Sequence, residues 1–147
     1  MIALIQRVSH ASVDVNNEQV GQIDQGILAL IGIEKTDTHK QANRLLERIL
    51  AYRIFPDPDD RMNLSLTDIQ GGLLLVPQFT LVADTRKGNR PSFTSAASPE
   101  LGKQQFNYLM DRAEAQHPHV AGGIFGADMQ VTLLNDGPVT FLLQVNT

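Results

Sequence analysis

Apolar and polar residues alternate early in the chain. Met1-Ile2-Ala3-Leu4-Ile5-Gln6-Arg7 enters a strand pattern directly, and Val13 and Val15 alternate with Ser12 and Asp14. Asn16-Asn17-Glu18 reads as a turn, residues 19–23 as a short strand, and Asp24-Gln25-Gly26 as a second turn. Residues 27–33 are apolar on both faces, as a central strand would be, and Gly32 within them marks a bulge or a close backbone contact. The period then changes. Ala42, Leu45, Leu46, Ile49 and Leu50 follow helical spacing behind a cap at Thr36, Asp37 or Thr38, with Arg44, Glu47 and Arg48 on the other face. Pro56 and Pro58 end anything helical.

Residues 73–83 read as a second buried strand interrupted by Pro77, and residues 84–97 as a long loop carrying Arg86, Lys87 and Arg90. Ser98-Pro99-Glu100 supplies a cap, a proline at the first helical position and an acid in the first turn, predicting a helix to about Ala115. His117-Pro118-His119 and Gly122-Gly123 break the chain again. In the last segment two alternating apolar runs flank Asn135-Asp136-Gly137-Pro138. Asp-Gly in that position predicts a hairpin, but Pro138 removes an N–H where a strand should begin to pair. The expected architecture is α+β: a mostly antiparallel, strongly curved sheet or barrel with two helices packed outside, as a single domain over residues 1–147.

Composition narrows the function classes. The chain is 42% hydrophobic and 19% charged, with no Trp and no Cys, so the core rests on Leu, Ile and Val, and thiolate chemistry is excluded. No apolar run reaches a membrane span and no signal-peptide pattern opens the chain. A cytoplasmic protein without a membrane partner is expected. The net charge of −4 argues against broad electrostatic binding to DNA or RNA; a nucleic-acid partner needs a local basic patch. The phosphate-loop, dinucleotide, zinc-protease and serine-hydrolase motifs are absent. His117 and His119 could offer two imidazoles to a metal, but no third ligand is indicated, so no metal and no cofactor are expected. Asp57-Pro58-Asp59-Asp60 reads as a solvated acidic turn, and Arg86, Lys87 and Arg90 either contact phosphate or form an ordinary exposed loop.

Two stretches stand out. Pro77-Gln78-Phe79-Thr80 sets a proline and two polar side chains in an apolar run, where an unpaired polar group costs about 1–3 kcal/mol. Asn135-Asp136-Gly137-Pro138-Val139-Thr140 is the other. With Ile5-Gln6-Arg7-Val8, Tyr52-Arg53-Ile54-Phe55, Met62-Asn63-Leu64, Arg90-Pro91-Ser92-Phe93 and Ala127-Asp128-Met129-Gln130-Val131, they make the chain resemble, nearly end to end, the bacterial and eukaryotic type of D-aminoacyl-tRNA deacylase.

The resemblance implies a homodimer that cleaves the ester joining a D-amino acid to the 3′ end of tRNA. It implies a cis Gly137–Pro138 bond, projected into the partner's active site to exclude L-amino acids, with tolerance of glycine. Arg7 corresponds to an arginine that holds this pair, Met129 to a residue near it, and Asn135 to a residue supporting its turn. The catalytic segment is Gln78, Phe79 and Thr80, with the backbone N–H groups around Phe79 and Thr80 expected to face the oxyanion. Thr80 as a nucleophile is the less favoured reading, since no general base is apparent. The family's serine at the head of this motif is Pro77 here. That leaves two alternatives: a binding-only relative, or a small hydrolase acting on a different ester or amide.

Overall fold

The computed structural model describes residues 1–146. In chain order the elements are β1 (Ile2–Val15), β2 (Glu18–Ile23), β3 (Gly26–Gly32), α1 (His39–Ala51), β4 (Phe55–Pro56), β5 (Met62–Leu64), α2 (Leu66–Ile69), β6 (Gly72–Pro77), a 3-10 turn (Phe79–Val82), α3 (Pro99–Gln116), β7 (Val120–Gly122) and β8 (Gln130–Gln144).

The long strand β1 organises the sheet. It pairs antiparallel with β3 through residues 2–8, with β2 through residues 11–15, and with β8 along almost its whole length. On the far side of β3, β6 runs parallel, and β7 runs parallel to β6. β2 and β7 then approach without a ladder: a methyl group on Gly21 would lie 2.8 Å from the Gly122 carbonyl oxygen. The result is a nearly closed barrel of mixed sheet. β3 and β6 also pack closely, and a methyl group on Gly26 would fall 1.9 Å from the Gly72 carbonyl oxygen.

The sheet has apolar contacts on both faces, which explains the unbroken buried run in β6. Leu73 and Leu75 join Ile5, Ile27, Ala29 and Ile31 in a core completed by Leu45, Leu46 and Ile49 of α1 and Phe106 and Leu109 of α3. Leu74 and Val76 face the other way, with Val8, Ala11, Val13, Ile23 and Leu28, in a second core. Each fully buried large apolar side chain contributes about 1.5–3 kcal/mol. Thr38 caps α1 with a reciprocal box to Gln41, and Ser98 caps α3 through the Leu101 N–H.

The α+β class and the two main helices stand as expected, and four details differ. The sheet contains parallel pairs, because residues 33–71 carry the chain back across one face before β6. A third helix, α2, is present. The apolar run after residue 72 is a strand only as far as Pro77, where Gln78 donates its N–H to the Ile31 carbonyl at 2.8 Å and the chain tightens into the 3-10 turn. The C-terminal hairpin is absent: β8 is one continuous strand against β1. Asn135-Asp136-Gly137-Pro138 is a bulge within it, where two steps along β1 (Gln6 to Val8) face five along β8 (Thr140 to Asn135). Pairing along β1 overrides the local turn signal, and the extra residues are pushed out of the ladder.

Candidate active site

A cavity of about 610 Å³ opens where β6 ends. Pro77, Gln78 and Phe79 form one wall, Phe93, Ala96, Ala97 and Pro99 a second, and Phe125, Met129 and Val131 a third. The Phe79 and Phe93 rings lie 5.4 Å apart, and Phe79 is 64% exposed, an unusual position for a phenyl ring with no partner molecule.

The 3-10 turn beneath Phe79 has no side-chain cap. Its first bond joins the Leu81 N–H to the Gln78 carbonyl, so the N–H groups of Phe79 and Thr80 have no acceptor inside the turn. Gln78 donates its side-chain N–H to the Thr80 hydroxyl oxygen. Among the described residues no histidine or carboxylate hydrogen-bonds Thr80, so the threonine has no base attached there.

Pro77, Gln78, Phe79 and Met129 therefore share one cavity, with Thr80 tied to it through Gln78. Gly137, Pro138, Asn135 and Arg7 lie elsewhere, at the bulge in β8. The Gly137–Pro138 bond is cis and Gly137 has φ +139°. A methyl group on Gly137 would meet Val139 Cγ2 at 2.6 Å and Arg7 Nη2 at 3.2 Å. Asn135 spans the bulge: its Oδ1 accepts from the Val139 N–H at 2.8 Å and its Nδ2 donates to Thr140 Oγ1 at 2.9 Å. Arg7, with a largely buried side chain, donates from Nε to the Asp136 carbonyl at 3.0 Å and from Nη1 to the Ile54 carbonyl at 2.8 Å. Between these anchors Gly137 and Pro138 project into solvent. Neither lines the cavity of its own chain.

Phe93 and Phe125 carry no signal in the sequence that marks them as cavity residues. Phe93 falls within Arg90-Pro91-Ser92-Phe93, but only the fold brings its ring against Phe79 at the cavity. Beside it, the Arg86 side chain donates from Nε and Nη2 to Asp84 at 2.9 and 2.7 Å, holding the Asp84 carboxyl down at about 2. His117 is buried, with Nε2 2.6 Å from the Gly71 carbonyl oxygen, and among the described residues no group of three metal-ligating side chains converges.

A nearly closed mixed barrel thus carries an aromatic cavity over an uncapped turn and, apart from it, a glycine–proline bulge on the outer strand. The family model described as D-Tyr-tRNA(Tyr) deacylase matches residues 4–144. The D-aminoacyl-tRNA deacylase of Thioalkalivibrio sulfidiphilus (strain HL-EbGR7) is 63% identical, over 99% of this chain and 97% of the relative. That of Pseudomonas putida (strain W619) is 59% identical, over 99% and 100%. A solved structure titled "c-Myc DNA Unwinding Element Binding Protein" is 37% identical and superposes over the full length of both chains with a TM-score of 0.95. A probable eukaryotic D-amino acid tRNA deacylase shares the fold, with a TM-score of 0.81 over 98% of each chain at 18% identity. The chain belongs to the D-aminoacyl-tRNA deacylase family and is a hydrolase of the aminoacyl ester bond.

Proposed function

We propose that the protein acts as a homodimer in the cytoplasm, its single domain cleaving D-aminoacyl-tRNA by lending Gly137–Pro138 to the cavity of a second copy. The observation that carries this reading is the separation of the two groups of site residues. The bulge presents exposed main chain away from its own cavity, on a strand paired along one edge only. On one face β8 also exposes Leu134 and Leu142, apolar side chains available to an interface between copies.

In the composite site the aromatic walls stack on the terminal adenine of the tRNA. The ester carbonyl lies over the turn, and a water attacks its carbon. The N–H groups of Phe79 and Thr80 stabilise the oxyanion, the bond between the acyl carbon and the ribose oxygen breaks, and the ribose oxygen takes the proton given up by the attacking water, leaving the free D-amino acid. A thousandfold acceleration needs only about 4 kcal/mol, within reach of two positioned donors and the neighbouring ribose hydroxyl. The Gly137–Pro138 main chain faces the substrate's alpha carbon where an L-side chain would sit. Selection then works by clash and makes little use of the side chain itself, so different D-amino acids and glycine are accepted. Pro77 supports a second reading, a binding-only relative, but the cavity wall it forms and the hydrogen bond from Gln78 N–H to Ile31 favour a working site.

The test is deacylation of matched D- and L-tyrosyl-tRNA by one preparation, with glycyl-tRNA as a third substrate. Cleavage of the D-ester and glycyl-tRNA with refusal of the L-ester is expected. Equal rates on D and L, or cleavage of neither, would overturn the proposal.

A further inference from the structure

A basic loop tip stands directly on the wall of the cavity. Asp84 and Ser92 exchange both backbone hydrogen bonds, at 2.7 and 2.9 Å, closing residues 85–91 into a protruding tip. Below this closure the loop is pinned. Ser95 Oγ donates to the Val82 carbonyl at 3.2 Å, the Lys35 N–H to the Ser95 carbonyl at 3.0 Å, and the Ala97 N–H to the Ile33 carbonyl at 3.0 Å. The same pinned limb supplies Phe93, Ala96 and Ala97 to the cavity wall. The tip is therefore built into the mouth of the site.

Its composition contrasts with the rest of the molecule. Thr85-Arg86-Lys87-Gly88-Asn89-Arg90-Pro91 carries three cations and no acid in a chain of net charge −4. Asp84 engages one of the three, taking the Arg86 guanidinium in a two-bonded fork and accepting the Arg86 backbone N–H at 3.0 Å. That pair braces the tip and neutralises itself. Lys87 and Arg90 are exposed and make no ion pair among the described residues. Gly88 turns between them with φ +64° and open space around it. Three residues span at most about 10 Å, so both charges can serve neighbouring phosphates on one strand.

We infer that Lys87 and Arg90 grip the backbone phosphates of the single-stranded nucleotides just before the esterified adenosine, anchoring the tRNA acceptor end at the mouth. This rests on the proposed function for the orientation of the substrate: an adenosine in the aromatic cavity sends its 5′ phosphate and those preceding it out past the rim. The grip supplies affinity without reading sequence, as contacts to phosphate do, and it gives a protein of negative net charge a local attachment point for RNA.

The experiment compares two substrates, D-tyrosyl-tRNA and the 3′-O-D-tyrosyl ester of adenosine, which has no phosphate. The enzymes are the wild type, the double variant Lys87→Glu/Arg90→Glu and the charge-conserving Lys87→Arg/Arg90→Lys. The charge reversal should lower kcat/KM on the tRNA about 10–100-fold at low salt, mainly through KM. It should flatten the dependence of log affinity on log salt by about 1.4, two single-strand contacts at about 0.7 each. Its rate on the adenosine ester should hold, and the charge-conserving variant should retain tRNA activity. An unchanged KM and salt slope in the charge reversal would sink the inference; so would equal losses on both substrates, which mark a collapsed cavity wall. Binding of uncharged tRNA separates this from the parent proposal: if the wild type cleaves neither ester while charge reversal still weakens tRNA binding, the proposed reaction falls and the phosphate grip stands.

Discussion

At Arg7 the guanidinium reaches two main-chain carbonyl oxygens, that of Ile54, 47 positions away in the chain, and that of Asp136, 129 positions away. Lysine has the charge but not the fork, so it could satisfy only one geometry well. Gly137 beside it has no room for a methyl group and a φ that side chains rarely adopt. At the opposite group of site residues the proposed oxyanion donors are also main-chain atoms. Phe79→Pro removes one N–H at the first position of the turn, where proline is tolerated, and Gln78 before it, at φ −138° and ψ 83°, lies outside the α region that a following proline disfavours. If that N–H faces the oxyanion, kcat should fall about 10²–10³-fold relative to Phe79→Ala, which loses the same aromatic ring and keeps the donor. Thr80→Ala should keep a substantial fraction of activity. Complete loss in a folded Thr80→Ala protein would instead make the hydroxyl the nucleophile.

Among the elements, the 84–92 loop carries a pH dependence. The Asp84 carboxyl is held at about 2, below its ordinary 3.8, chiefly by the Arg86 side chain and then by its backbone N–H. A depressed carboxylate stabilises the folded loop above the unfolded value of 3.8 and loses that contribution as pH falls toward 2. A carboxyl-carbon NMR titration should give Asp84 a midpoint near 2, moving back toward the ordinary value in Arg86→Ala. A midpoint of 3.8 in the wild type would remove the brace. Elements differ in how far the sequence reveals them. α1 and α3 are legible because cap, period and length agree. α2 carries a capping box, Ser65 with Asp68, that a systematic search would find. The β4–β5 pair is too short to show a period. β8 misleads because Asn-Asp-Gly is a strong local signal, while the ladder to β1 that overrules it is set by residues more than a hundred positions away. The same limit applies to the site. Gln78, Phe79 and Thr80 are consecutive, so their break in the apolar run is readable, but the aromatic walls from Phe93 and Phe125 meet that segment only through the packing of the loop and the segment after β7.

At the scale of the whole molecule, the cavity and the Gly137–Pro138 bulge occupy separate places on one chain. If each cavity borrows its bulge from the other copy, two defective proteins can repair one another. Gly137→Ala spoils the lent bulge and leaves its own cavity intact; Phe79→Pro does the reverse. In a twofold dimer of one of each, the intact cavity faces the intact bulge and the two lesions fall together in the other site. Unfolding and refolding the inactive variants together in equal amounts should place half the dimers in the mixed form, with one working site of two, and restore about a quarter of wild-type turnover. Simple mixing should recover activity only as fast as subunits exchange. No recovery after verified formation of mixed dimers would place both halves of the site within a single chain. Where recovery occurs, genetic complementation between two null alleles would be its cellular counterpart: in the proposed dimer, the residues that hold the ester and those that judge its handedness are inherited together but used apart.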